Sequence, residues 1–165
     1  MSVITLQGEN EKRLGIYYEV DTSIAPIGAG GMGQVFKGLC VNQQTGATRS
    51  VAIKFMYDDL PEHAIERARR EASICLRNDN LVEMLGFFET VDRDAVGTLK
   101  KHYHVVSELL TGVSLSDVLE GKTKDAYGND VPFAIKMAQD FKNDPEHFAT
   151  IIVTSVLSGL MALHD

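Results

Sequence analysis

The stretch PIGAGGMGQVFKG, residues 26–38, holds five glycines in thirteen positions and contains the spacing G-x-G-x-x-G at Gly28, Gly30 and Gly33. Glycines so spaced admit backbone conformations and close approaches that a Cβ forbids, which a phosphate-covering loop needs and an ordinary tight hairpin also uses. The flanks decide between the folds that carry such a loop. No Gly-Lys-Ser/Thr closes this run of glycines, so the triphosphate loop of that pattern is excluded here. A dinucleotide-binding turn must open a helix. Here QVFKGLCVNQQTGATRSVAIKFM runs in β-branched and aromatic residues, turns at NQQTG and resumes as another strand-like run. The glycines therefore join strand to strand.

The remaining strands follow from the same alternation. LGIYYEV leads into the glycines, GQVFKGLCV forms its antiparallel partner, and SVAIKFMY is the third strand. In the third, a period of two sends Val51, Ile53 and Phe55 to one face and Ala52, Lys54 and Met56 to the other. Lys54 thus arrives one hairpin after the glycine loop, where an ammonium can reach what the loop covers. LPEHAIERARREASICLR then predicts a helix starting at Pro61, with Ile65, Ala68, Ala72 and Cys75 as its buried stripe. Glu71 falls on that stripe, whereas Glu66 lies on the polar side among Glu62, His63, Arg69, Arg70 and Ser73. A carboxylate turned toward the body of a protein requires a cation, and Lys54 is the natural candidate; pairing with a helix arginine at the surface is the alternative. NLVEMLGFFET and KHYHVVSELL add two strands on either side of TVDRDAVGTLKK, read as a polar turn. The expected total is five strands with one helix after the third.

Composition narrows the function classes. With 16 Lys and Arg against 23 Asp and Glu, the net charge is −7, and no run of five like charges appears, so a nucleic-acid footprint is not expected. Cys40 and Cys75 are far apart and in no metal-ligand spacing, which points to reduced thiols and a cytoplasmic setting. The five histidines form no metal-binding set, so no protein metal site is expected. The N-terminal MSVITLQGENEKRLG lacks the basic-then-apolar pattern of a secretory signal.

Taken together and in order, these segments resemble the N-terminal part of a Ser/Thr protein kinase catalytic domain, from about residue 17 to the last residue. Gly28, Gly30, Gly33 and Val35 match G-x-G-x-x-G-x-V, Val51 to Lys54 read VAIK, RREAS supplies the helix glutamate, RNDNLVEMLG is similar to the turn into the fourth strand, and VVSELLTGVSL is similar to the hinge. The resemblance implies an α+β fold: a kinase-like N-lobe over residues 1–110, with a five-stranded antiparallel sheet and one αC-type helix, then the first helices of a C-lobe over residues 111–165. It further implies that ATP, with Mg²⁺, is the cofactor. Lys54 would hold the α- and β-phosphates and pair with Glu71, while the loop amides Ala29, Gly30, Gly31, Met32 and Gly33 would cover the β- and γ-phosphates. Ile27, Val35, Ala52, Val82 and Leu115 would line the adenine pocket, with Gly28 opening the loop. Ser107 matches the gatekeeper position, where so small a side chain would leave room behind the adenine for bulky competitors. Glu108 and Leu110 match the hinge residues that meet the adenine edge, and Ser114 a ribose contact. Cys75 and Met84 match positions buried between helix and sheet. Only seven positions separate Glu71 from Asn78, fewer than usual, which predicts a trimmed helix end.

After the hinge come a polar insert, KTKDAYGNDV, a short helix around FAIKMAQDF, and the helix PEHFATIIVTSVLSGLMALHD. Asp144 can cap that last helix and Pro145 can sit at its first position. From Phe148 to Leu163 it carries no charge, a run shorter than the roughly 20 residues of a membrane span, so no membrane partner is expected. Its Phe148, Ile151, Ile152, Val156, Leu157, Leu160 and Leu163 instead suit a helix buried within a lobe, and left uncovered they predict self-association through residues 145–163. No His-Arg-Asp and no Asp-Phe-Gly occurs in these residues, so the segment is expected to bind ATP and a protein substrate only as part of an intact kinase, and to be inactive alone. Two alternatives stand beside this reading: a natural half-kinase that binds nucleotide or a partner without chemistry, and a nucleotide-cofactor protein with a Rossmann-like loop.

Overall fold

The computed structural model describes residues 2–164. Its elements are β1 (Val3–Leu6), α1 (Glu9–Leu14), β2 (Ile16–Asp21), β3 (Gly28–Ala29), β4 (Gly33–Asn42), β5 (Thr48–Met56), α2 (Glu62–Ala72), β6 (Met84–Arg93), β7 (Leu99–Glu108), α3 (Leu115–Leu119), α4 (Pro132–Asn143) and α5 (Pro145–His164). They divide into two compact units. One holds the residues up to Arg77 together with Val82–Leu109; the other holds Asn78–Leu81 and the residues from Leu110 on.

The first unit is an antiparallel sheet in the order β1-β2-β4-β5-β7-β6, with the short β3 paired to β4. The five expected strands are β2, β4, β5, β6 and β7. β1, β3 and α1 are additional. The β4 to β5 hairpin turns where expected, with Asn42 Oδ1 accepting the N–H groups of Gln44 and Thr45. Register then fixes the faces. Val35 lies opposite Lys54, Ala52 opposite Ser107, and Lys54 opposite Val105, so these five side chains share one face.

The other face buries an outer core of Leu6, Tyr18, Val20, Phe36, Val51, Ile53, Phe88 and Val106. Tyr18 on β2 and Phe88 on β6 meet edge to face at 5.7 Å between ring centres. Those strands are four steps apart in the sheet, a span of roughly 19 Å if it were flat. The sheet therefore curls around its outer core, and β1 and α1 help to close the curl. Glu11 of α1 is buried; its Oε2 accepts the Gly8 N–H at 3.0 Å, which satisfies the N-cap amide and sets the carboxylate at the favourable helix N-terminus.

The inner face packs against α2 through Met56, Ile65, Ala72 and Val105, with Met32, Leu60, Ala68, Met84, Phe87 and Tyr103 around them. Ile65 and Ala72 are buried as the periodicity predicts. Cys75 is not: α2 stops at Ala72, Ser73 caps it with its hydroxyl on the Arg70 carbonyl at 2.7 Å, and Cys75 lies past the helical period and is exposed. The stretch expected as a polar turn after Thr90 is also largely strand. β6 reaches Arg93 and β7 starts at Leu99, leaving a tight turn in which Asp94 Oδ1 accepts the N–H groups of Val96 and Thr98. Cross-strand charges such as Lys101 with Glu89 at 3.3 Å explain why so polar a ribbon still pairs.

In the second unit α3, α4 and α5 enclose Val118, Ala134 and Phe148, with Phe141 and Phe148 edge to face at 5.4 Å. Asp144 Oδ1 accepts the His147 N–H at 3.1 Å, capping α5 as expected. Of the seven apolar side chains named for this helix, Phe148 is buried and Ile152 half-buried, while Ile151, Val156, Leu157, Leu160 and Leu163 are exposed. At 20 residues, α5 is by length and composition the one helix among the described residues long and apolar enough to cross a membrane.

Two predictions follow from the packing of the first unit. A Cβ on Gly33 would run into the Phe55 carbonyl of the paired strand, whereas one on Gly30 would meet nothing. Gly33→Ala should cost about 1–3 kcal/mol in denaturant unfolding, and Gly30→Ala less than about 0.5 kcal/mol; equal effects would contradict the register. His104 is 3% exposed, with Nε2 on the Thr90 hydroxyl at 2.9 Å. Burial, reinforced by the charge of His102, pushes its pKa down to about 4. The unfolded chain then takes up a proton between pH 6.5 and about 4 that the folded chain refuses, so stability should fall as pH drops through that window, by at most roughly 3 kcal/mol. Urea midpoints at pH 7 and pH 5 should differ less in His104→Phe.

Candidate functional site

The glycine loop is held at both ends and left open at its tip. The Ile27 N–H donates to the Val35 carbonyl at 2.8 Å, and the Gly30 N–H to the Gly33 carbonyl at 3.0 Å, closing a tight turn. The Met32 carbonyl accepts the Tyr57 N–H at 3.0 Å, tying the loop to the end of β5. Built Cβ atoms on Gly28, Gly30 and Gly31 meet nothing within 4 Å, so space beside the tip is free for a close-approaching group.

Beneath the loop lies a cavity of about 260 Å³, lined by Met32, Lys54, Met56, Arg67, Ala68, Glu71, Met84 and Val105. β5 supplies Lys54 because its neighbours Ile53 and Phe55 are drawn to the outer core. α2 supplies Ala68 and Glu71, three apart on one helix face. The two residues predicted to work together thus line one cavity. Among the described residues, however, no ion pair joins them, and Glu71 is exposed rather than turned inward while Lys54 is half-buried. Glu71 stands in the last turn of α2, beside the buried Ala72. On the polar side Glu66 pairs with Arg69 at 2.6 Å, and Arg69 in turn stacks 5.0 Å over Phe87.

Two lining residues had roles that periodicity did not single out. Arg67 sits four before Glu71, a spacing that places it on the same face. Met32, expected for its backbone amide, also sends its side chain among Met56, Ala68 and Met84. The result is one carboxylate and two cations over thioether and aliphatic walls, a setting that favours anionic oxygens. No group of three or more His, Cys, Asp or Glu suited to a metal occurs among the described residues.

Val35, Ala52 and Ser107 stand on the Lys54 face of the sheet, and Ser107 lies opposite Met84. Ile27 and Val82 are exposed. The Ser107 hydroxyl donates to the Glu108 carbonyl at 3.3 Å; the Glu108 N–H donates to the Glu83 carbonyl at 2.9 Å and its carboxylate accepts the Glu83 N–H at 2.8 Å, which anchors the end of β7. Leu110, Ser114 and Leu115 belong to the second unit. There Leu110 and Leu115 are exposed, and Ser114 caps α3 by accepting the Asp117 N–H at 3.1 Å, a structural task its expected ribose contact did not include.

Known proteins are similar to this chain in sequence. Over 100 residues, 58% of the chain, it is 35% identical to the serine/threonine-protein kinase pkn2 of Myxococcus xanthus; over 132 residues, 78% of the chain, it is 30% identical to a probable serine/threonine-protein kinase of Clostridium perfringens. The matched parts span 10% and 17% of those two proteins, so the chain corresponds to a small share of each. The family model described as protein tyrosine and serine/threonine kinase matches residues 22–156, from just past β2 into α5. By its glycine loop, its strand lysine and this match, the chain belongs to the protein kinase family.

Proposed function

We propose that this chain is the ATP-binding part of a Ser/Thr protein kinase, carrying phosphoryl transfer from ATP to protein Ser or Thr when joined to the residues that complete the site. The observation that carries the reading is the placing of Lys54 and Glu71 on one cavity beneath an open glycine loop. ATP bound with Mg²⁺ supplies the transferable γ-phosphoryl group. On the protein side, the amides of Ala29 to Gly33 would cover the β- and γ-phosphates and the Lys54 ammonium would neutralise the α- and β-phosphates. Val35, Ala52 and the small Ser107 give the flat apolar face on which adenine would lie. Glu71, on the same cavity wall, would hold Lys54 in place when the two are paired. The surrounding compartment on this reading is the cytoplasm.

Neither His-Arg-Asp nor Asp-Phe-Gly is among these residues, so the groups that orient the acceptor hydroxyl and hold the metal are not supplied here. Purified 165-residue chain should therefore bind MgATP weakly and transfer no phosphate; ATP-dependent phosphorylation of itself or of a test protein would overturn that. Lys54→Met, whose unbranched side chain fills the same space, should lower ATP affinity about tenfold or more while leaving the unfolding midpoint near that of the parent. Unchanged affinity would remove Lys54 from the site. A non-catalytic nucleotide-binding module is the second reading, favoured by the same missing motifs; it requires that the complete protein also lack phosphotransferase activity.

The exposed apolar face of α5 supports association of this chain with itself. Light scattering at tens of micromolar should give a dimer or larger, and Leu157→Asp should give a monomer. A compact monomer of the parent chain contradicts the proposal.

A further inference from the structure

The end of β7 is joined to the start of β6 by a side chain as well as by the backbone. Two residues facing each other in a hydrogen-bonded antiparallel pair ordinarily exchange two bonds, each N–H reaching the other's carbonyl. Glu83, one residue before β6, and Glu108, the last residue of β7, share the first of these: the Glu108 N–H donates to the Glu83 carbonyl at 2.9 Å. The return bond runs to a side chain instead, the Glu83 N–H donating to Glu108 Oε1 at 2.8 Å. The Glu108 carboxylate thus takes the place of its own residue's carbonyl in the ladder.

The carbonyl so displaced meets the Ser107 hydroxyl, which donates to it at 3.3 Å. Ser107 lies opposite Ala52, on the sheet face that carries Lys54, so a carbonyl within reach of its hydroxyl is within reach of a group lying on that face. The bond is long, since O–H···O bonds are usually about 2.7–2.8 Å, and a carbonyl oxygen has two lone pairs. It can therefore accept a better donor. All of these residues belong to the first unit.

Glu83 is itself tethered. Its carboxylate meets Arg49 of β5 at 3.5 Å and Arg77 at 3.6 Å, and these cations offset the like charge that Glu108 brings beside it. An N–H held by a carboxylate makes a charge-assisted bond, stronger than the backbone bond it replaces. Resting on the reading of this chain as an ATP-binding kinase segment, we propose that Glu108 is a positioning residue for adenine: its carboxylate occupies the Glu83 N–H, which keeps the Glu108 carbonyl out of the ladder and presents it to the 6-amino group of the base. Guanine carries an oxygen at that position, an acceptor against an acceptor, so the same clasp selects against it. Without the carboxylate, the carbonyl is free to turn to the Glu83 N–H and complete an ordinary strand pair.

Backbone-amide NMR titrations of the 165-residue chain and its variants with MgATP, MgGTP and magnesium tripolyphosphate test this. The parent chain should bind MgATP about tenfold more tightly than MgGTP. Glu108→Ala should lose about tenfold in MgATP affinity while MgGTP and tripolyphosphate change by less than about twofold. Glu108→Gln removes the same charge but keeps an oxygen acceptor, so it should bind MgATP within about threefold of the parent; the difference between the two variants reads the hydrogen bond and not the charge. Equal binding of MgATP and MgGTP by the parent, unchanged MgATP affinity in Glu108→Ala, an equal loss for MgATP and tripolyphosphate, or a Glu108→Gln as damaging as Glu108→Ala would overturn the proposal. Each of those results leaves the ATP-binding reading standing, whereas a parent chain that binds none of the three ligands overturns that reading and this inference with it. Should Glu108→Ala fail to fold, Glu108→Met, of similar length and without the oxygen, takes its place with the same outcomes.

Discussion

The burial of Val51 and Ile53 is the constraint on which the rest depends. Both are fully buried, and they sit on the strand that is paired on each side, by β4 and by β7. Because side chains alternate along a strand, a slip of one residue would carry Lys54 into the outer core and expose two large aliphatic groups, an exchange of several kcal/mol in the wrong direction. The apolar pattern of VAIKF thus fixes which face the ammonium takes before any ligand is involved. The function rests on a hydrophobic register.

From that register the site assembles outward. Val35 and Gly33 are placed opposite β5, which sets the glycine loop over the same face as Lys54. The close approach of Gly33 to the Phe55 carbonyl allows the loop to start so near the strand. On the other side, Met56 and Val105 receive Ile65 and Ala72 of α2, which brings Glu71 to the cavity wall. Apolar contacts do the positioning, and the charged groups remain partly solvated and unpaired with each other.

The parts legible in the sequence were those written in local periodicity. VAIKF, with its alternation, gave the strand and the face; Pro61 gave the start of α2; Asp144 and Pro145 gave the start of α5. Gly28 to Gly33, read with their strand-like flanks, pointed to the correct kind of loop. What was not legible depended on contacts distant in sequence or on tight polar caps. β1 is four residues long and becomes a strand because β2 and the outer core accept it. The extent of the β6 to β7 ribbon depends on cross-strand charges, which a single polar run does not reveal. Cys75 fits the helical period, but Ser73 ends the helix first. His104 reads as an ordinary strand histidine until Phe55, Thr90 and the curl of the sheet surround it.

The central claim is that Lys54 is the amine that meets the phosphates of ATP bound beneath the glycine loop. An acyl phosphate derived from ATP, which acylates the amine nearest the bound phosphates, followed by peptide mass spectrometry, tests it directly. The account predicts that Lys54 is the principal acylated residue and that excess MgATP protects it. Acylation spread over exposed lysines such as Lys12 and Lys122 without preference for Lys54, or labelling of Lys54 that MgATP leaves unchanged, would contradict it.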